Sequence, residues 1–405
     1  MKKYFRILAV AICATMMFSG CGSKQKDDNI EDKMYEISEY GDIHDKQVAE
    51  VLNTEWKHIR FNEEAYFEEL PKFDSVCVYE TSNDSSDGSV EDGIDRIKNI
   101  ASLYGYPESK IEDNLYDANS RVNEVEIEPG YVEFDHALVY EHLDDGIVKN
   151  GDFFYIDTDE LHIQMGNGGV YSLSDGEISR YAGSTDAIAM DALDNNSDDY
   201  TYVGRVADVA DEKFDTLGGE ITIGEAAEIV KSFLNNNSIL PKDLTTKAEP
   251  YQAYVKKVND KYCIMFTVIG RVDNVPISSG NIRTINGWNT SGYTAAPTRA
   301  TSIVFNGKVD AAVYAGLLDK FEVKDKQYTS ILGLKAATEL LDDFLGQNIV
   351  LKVEQIKFVY ERLIYEGGTN EIKPAWEFTG YNSTSEREMM IWVNAIDGTV
   401  EYIMS

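Results

Sequence analysis

Three histidines carry the first chemistry worth weighing. His136 and His142 are six positions apart, an even spacing that puts both on one face of a strand, and His162 lies in another strand-like run. With Asp135 or Glu141 they would form a nitrogen-and-carboxylate set suited to zinc. Nothing between them requires one continuous strand, so separate surface imidazoles are expected and no metal site is assigned. Asn83, Ser85, Asp87 and Gly88 fall in the register of an acidic calcium loop, but the position for the bidentate glutamate is Ile94. That stretch reads as a turn. Gly166-Asn167-Gly168-Gly169 follows a strand-like run without a helix pattern behind it that could cap a phosphate, and also reads as a turn. No Gly-x-Ser-x-Gly, His-Glu-x-x-His, Walker loop or dinucleotide fingerprint occurs. The 71 Asp and Glu allow any pair to be drawn as acid and base, and spacing selects none. No catalytic residue and no cofactor are assigned.

The 405 residues exceed one ordinary domain, and 43% hydrophobic content is enough for real cores. A net charge of −34 argues against nucleic acid as a partner and against broad docking on anionic lipid. Cys77 and Cys263 sit in apolar strand-like runs, where buried free thiols are expected rather than a bridge. At the N-terminus, Lys2, Lys3 and Arg6 precede a short apolar run from Ile7 to Met17, which Phe18-Ser19-Gly20-Cys21 closes. The run is too short to span a bilayer and has the form of a processing signal. It resembles the lipobox of bacterial lipoproteins, in which the cysteine becomes the acylated first residue of the mature chain. That resemblance implies removal of residues 1–20, lipidation of Cys21 with palmitate-type chains, and a lipid-anchored protein on the extracytoplasmic face of the cell membrane. The lipid bilayer is then a partner through that anchor alone.

Residues 21–45 are polar and read as a flexible tether. Residues 46–210 read as an N-terminal α+β domain. Val48, Val51, Leu52, Trp56 and Ile59 mark a first helix, Phe73 to Tyr79 a strand, and Ile94 to Tyr104 a helix ended near Gly105 and Pro107. From Val122 to Ser174 short alternating runs separated by Gly and Asp turns predict an antiparallel meander. Thr222-Ile223-Gly224-Glu225 is a capping box, followed by an apolar face of Ile223, Ala226, Ile229, Val230, Phe233 and Leu234. Shifted by 111 positions, that face falls on Leu334, Ala337, Leu340, Leu341, Phe344 and Leu345, and strand-like runs of matching kind follow each helix. Two repeats are expected, 220–316 with an insert at 271–300, and 329–405. The fold class is α+β: an antiparallel-sheet domain with short helices, then two helix-plus-antiparallel-sheet units.

The order helix, strand, Pro374-Ala375-Trp376-Glu377-Phe378, then Trp392-Val393-Asn394-Ala395-Ile396-Asp397-Gly398-Thr399-Val400 resembles PepSY-type domains and the related units of YycI and YycH, envelope proteins that regulate a sensor histidine kinase. The resemblance runs from Thr222 to Ile403, and the whole layout is similar to surface lipoproteins of Gram-positive Clostridia. It implies that Trp376, Phe378 and Trp392 are core. The place to look for binding is then the insert in the first repeat, which is polar and Gly-rich and carries Arg283, Trp288 and Tyr293. The function expected is a non-catalytic binding or regulatory module for another envelope component. The alternative is an extracytoplasmic hydrolase or glycan-acting protein with its site in the N-terminal domain.

Overall fold

The computed structural model describes residues 30–81, 90–106, 112–117, 146–150, 153–157, 161–166, 169–175, 200–236, 246–278, 293–295, 299–315, 321–346, 349–365, 371–385 and 387–404. The fold is mixed and sheet-rich, with five α-helices and several largely antiparallel sheets among the described residues. Two compact units emerge. One takes the chain up to Glu80, Asp273–Ala296 and everything from Val323 on; the other takes Thr81–Val272 and Pro297–Glu322. The segment 46–210 therefore divides near Glu80, and the insert 271–300 also contributes to both units.

In the first of these units, strands Leu351–Tyr365, Glu371–Asn382, Glu388–Asn394 and Val400–Met404 pair in chain order, each antiparallel to the next. The outer edge of the long strand Leu351–Tyr365 would otherwise offer a row of open backbone groups. Three distant segments cover it in turn. Ile59–Phe67 pairs in parallel, Ile277 bridges Tyr360, and Tyr293–Ala295 pairs antiparallel, with Tyr293 opposite Tyr365. One face of the sheet buries Phe358, Trp376 and Phe378, as the reading of these aromatics as core requires.

Two helices, Ile37–Asn53 and Leu334–Phe344, belong to this unit. The first starts well before the Val48 to Ile59 periodicity suggests and takes up part of the expected tether. Its buried stripe is Ile37, Tyr40, His44, Gln47 and Val51. Two of those five are polar, which hides the stripe from a hydrophobicity scan. Trp56 and Ile59 follow the helix instead. Trp56 folds back to donate its indole N–H to the Val51 carbonyl at 2.8 Å, and Ile59 opens a strand.

The second helix shows why the capping box is not repeated. Its N-cap is Gly333, where an added Cβ would stand 2.6 Å from a Tyr35 ring carbon and 2.8 Å from the Gln47 amide. No capping side chain fits. The first helix supplies the cap in its place: the Tyr40 hydroxyl accepts from the Leu334 N–H at 2.8 Å, and the Gln47 carbonyl oxygen from the Lys335 N–H at 3.1 Å.

The other unit holds a sheet in the spatial order Glu112–Asp117, Gly146–Asn150, Phe153–Asp157, Leu161–Gly166, Gly169–Asp175, Val309–Ala315, Arg299–Val304, Lys261–Val272, Lys247–Val258, Thr201–Arg205. The strands from Gly146 to Asp175 form the second part of the expected meander. Gly166 pairs with Gly169 where two strands of the sheet adjoin, and Asn167 and Gly168 between them lie outside the described residues. Helix Ile223–Leu234 carries the complete capping box: Thr222 Oγ1 accepts from the Glu225 N–H at 3.1 Å, and the Glu225 carboxylate from the Thr222 N–H at 2.9 Å. Ile223, Ala226, Ala227, Val230 and Leu234 join Ala253, Val255, Ile264 and Phe266 in one core, together with Ile97, Ile100, Leu161 and Ile163. On the opposite face, Cys263, Met265, Ile303 and Phe305 form a second cluster. Helix Ile223–Leu234 and helix Leu334–Phe344 are thus each followed by four strands paired antiparallel in succession. Both series also place a glycine at φ near +70° in the last hairpin, Gly307 and Gly398.

Candidate functional site

The unit that contains Trp376 also contains an open cleft of about 990 Å³. Helix Ile37–Asn53 gives one wall. Ser38, the neighbours Gly41 and Asp42, and Asp45 fall one helical turn apart and face the cleft, while Ile37 and His44 lie at the border between that stripe and the buried one. The opposite wall is the run from Glu69 to Ser75. Its Phe73 ring stacks on Phe358 at 5.1 Å and 9°, which ties the wall to the sheet. Asp273 and Asn274 close one end. Both have positive φ, 48° and 68°, the pair of values a tight type I′ turn needs and that Asp and Asn tolerate. Asn274 donates its amide to the Lys72 carbonyl at 3.3 Å, Tyr79 donates its hydroxyl to the Asp273 carboxylate, and Gln327 donates to Ser75. The cleft is held in shape by its own hydrogen bonds.

Its charge is one-sided. Asp42, Asp45, Glu69, Asp74 and Asp273 are all exposed, and Lys72 is the cation among them. His44 is the exception to the exposure, at 7%. Its ring lies on the Trp376 indole at 6.1 Å and 12°. Burial pushes the imidazole below its ordinary pKa, against the opposing pull of Asp45 and Glu69. Its Nδ1 stands 3.7 Å from the Asp45 carboxylate, too far for a hydrogen bond. Trp376 is itself fixed by Tyr40 at 5.9 Å, by Phe358 edge-on at 5.1 Å, and by an indole N–H donated to the Leu332 carbonyl at 2.8 Å.

Cys77 and Cys263 are free and buried; burial raises the Cys77 thiol and pushes Cys263 up to about 12, so neither is poised as a nucleophile. Of the residues singled out from sequence, Cys21, Arg283, Trp288, His136 and His142 lie outside the described residues, as does the acidic stretch Asn83 to Gly88. Tyr293 begins the short strand on the Leu351–Tyr365 edge. His162 sits mid-hairpin, opposite Asp157 on one side and Ser174 on the other. Neither Tyr293 nor His162 is among the described residues that line the cleft. The residues that do were hidden because they come from four separate stretches, and because an exposed carboxylate in a chain this acidic carries no individual signal.

The sequence matches no protein-family profile and no curated protein. Among solved structures it is similar to an uncharacterized protein from Eubacterium rectale, with 12% identity and a TM-score of 0.49 over 84% of this chain and 92% of that one. It is also similar to the Bacillus megaterium YpeB C-terminal domain, with 14% identity and a TM-score of 0.27 over 64% of this chain and 88% of that one. No residue role is transferred from either.

Proposed function

We propose that this chain is a lipoprotein of the extracytoplasmic face of the cell membrane, anchored through Cys21, that acts as a non-catalytic binding or regulatory module for another envelope component. Its two helix-plus-four-strand series are read as copies of one PepSY-like unit, the first opened by an insert and the second built out by the N-terminal segment. The observation that supports binding over turnover is the composition of the cleft. It is wide and polar, exposed carboxylates line it, and its own hydrogen bonds hold it in shape. Among those residues no helix is long and apolar enough to cross a membrane.

The test is crosslinking on the native cell surface followed by identification of what is captured, alongside Cys21→Ala. An envelope protein captured by the wild type, and release of Cys21→Ala from membranes, are expected. Turnover of a wall polymer by the purified chain, with no protein captured, would overturn the module reading. Retention of Cys21→Ala on membranes would overturn the anchor.

A further inference from the structure

The sheet that buries Trp376 has a second face with a different chemistry. Directly opposed residues of antiparallel strands share a face. The register sets Glu361 against Lys373, Glu377 against Trp392, and Trp392 against Glu401, so all five lie on the side away from Phe358, Trp376 and Phe378. Glu377 has Lys357 at 2.9 Å. Glu361 is placed differently. It is 2% exposed, and no N–H among the described residues donates to its buried Oε2. Lys373, opposite it, also reaches Glu371 at 3.8 Å. The hydrogen-bond partner of Glu361 is the Glu401 carboxyl, whose own Oε2 is equally closed to solvent. Ala375 lies between the two on the same face and is small enough to let both long side chains meet.

Ionised carboxylates only accept hydrogen bonds. A contact between two of them needs a proton on one, and where water is excluded a pair of touching anions is strongly disfavoured. A metal ion could also bridge two carboxylates, but among the described residues no three His, Cys, Asp or Glu side chains converge as ligands. A proton needs only the two.

We propose that Glu361 and Glu401 share one proton that latches the strand Val400–Met404 to its sheet, and that loss of this proton to solvent frees the strand. Glu361 belongs to an inner strand and cannot leave. Glu401 is half-buried, on a strand that among the described residues has one backbone partner, Glu388–Asn394. Segments with few backbone partners open at lower cost than the core of a sheet. Tyr402 packs against Phe344 at 5.8 Å from the opposite face, and the carboxyl pair fastens the strand on this one. The groups facing Glu361 set the direction of the switch. Burial raises its carboxyl most and Glu401 next; Lys373 opposes them, and Asp397, in the turn before the strand, adds to them. The latch is therefore closed on the acid side and opens as pH rises through the raised value. It does not depend on the binding-module reading.

The experiment is hydrogen–deuterium exchange of the full chain from about pH 5 to about pH 9. It is read as protection factors, which divide out the pH dependence of exchange itself. In the wild type, the peptide holding Val400–Met404 should lose protection above a midpoint, by up to about tenfold per pH unit for one proton. The peptide from Leu351–Tyr365 should stay level. Glu361→Gln is close in shape and keeps a donor toward Glu401 with no proton to lose, so its last strand should stay protected throughout. Glu401→Gln, at a half-buried position, removes the second carboxyl and should move the midpoint to lower pH; it and the wild-type profile decide the matter even if Glu361→Gln does not fold. Equal loss in both peptides would mean that the whole unit opens, and a level wild-type profile would mean that the Glu401 side chain swings out while its strand stays. Either result overturns the proposal. An unmoved midpoint in Glu401→Gln does so too, because Glu361 would then titrate alone. Protection restored at high pH by millimolar calcium would also overturn it, since the pair would then hold a cation in place of the proton.

Discussion

Glu377 lies in the interior of a sheet with none of its surface exposed. The Lys357 ammonium stands 2.9 Å from one carboxylate oxygen, the Trp392 indole donates to the other at 2.8 Å, and the Ser278 hydroxyl donates to that same oxygen. Replacing Lys357 by Met keeps the stem and removes the cation. The two neutral donors remain, but the carboxylate's counter-charge is gone. Lys357 is itself only 12% exposed, so water does not replace it cheaply. Breaking a buried pair from one side costs about 3–5 kcal/mol. Against a typical domain stability of about 5–15 kcal/mol that is a large share. Adding Glu377→Gln should recover at least about 1.5 kcal/mol, because a neutral amide oxygen still accepts from Trp392 and Ser278 without needing a cation. Urea unfolding followed by tryptophan fluorescence suits the question, since Trp56, Trp376 and Trp392 all belong to the unit being perturbed. If Lys357→Met costs less than about 1 kcal/mol, or the double variant is no more stable than the single one, the pair is not the counter-charge described here.

Further predictions concern pH and helix ends. Burial, with Glu401 beside it, raises the Glu361 carboxyl well above its ordinary pKa. The folded state then favours the protonated form, so the stability tied to this group is complete below the usual carboxylate pKa and is lost as pH rises through the raised one. Glu361→Gln should raise the urea midpoint at pH 8 and leave it nearly unchanged at pH 4; a parallel shift at both would refute the assignment. His44 has the opposite sign. Its lowered pKa gives stability that is present above about pH 6.5 and lost on acidification, so His44→Phe should flatten the fall in tryptophan-detected stability between pH 7 and pH 5. In the other unit, Thr222→Ala removes half of the capping box and should cost about 1 kcal/mol, seen as faster hydrogen exchange in a peptide spanning Thr222 to Val230.

Much of the architecture was legible because both helix-plus-strand series follow periodic rules. Ile223, Ala226, Val230 and Leu234 of the first apolar face and Leu334, Ala337, Leu341 and Leu345 of its counterpart are buried, Ile229, Phe233, Leu340 and Phe344 are half-buried, and Trp376, Phe378 and Trp392 are core. The Thr222 capping box was legible because it is local, with donor and acceptor three positions apart. What the sequence concealed is what depends on distant partners. Gly333 lacks a capping side chain because Tyr40 and Gln47 cap that helix from nearly three hundred positions away. The helix Ile37–Asn53 was obscured by His44 and Gln47 on its buried stripe. Ile59–Phe67 was not identifiable as a strand parallel to Leu351–Ile356, since neither side of such a pairing specifies its mate.

The same concealed contacts explain why the cleft and the core are not alternatives in this unit. Trp376 reads from sequence as an ordinary buried aromatic, and it is one. Its indole N–H is fixed to Leu332, one neighbour is Tyr40, and its remaining face carries His44. Tyr40 in turn caps the helix at Leu334 and bonds Gln47, so helix position, indole orientation and imidazole placement are set together. A binding group fixed this way needs little ordering when a ligand arrives, and the entropy that loose side chains lose on binding is already spent in folding. It follows that Tyr40→Phe, which removes the hydroxyl that accepts from the Leu334 N–H and donates to Gln47, should lower the stability of this unit by about 1 kcal/mol in urea unfolding followed by tryptophan fluorescence. If the midpoint does not move, the Tyr40 hydroxyl does not hold the helix at Leu334, and His44 is placed by its stack on Trp376 alone.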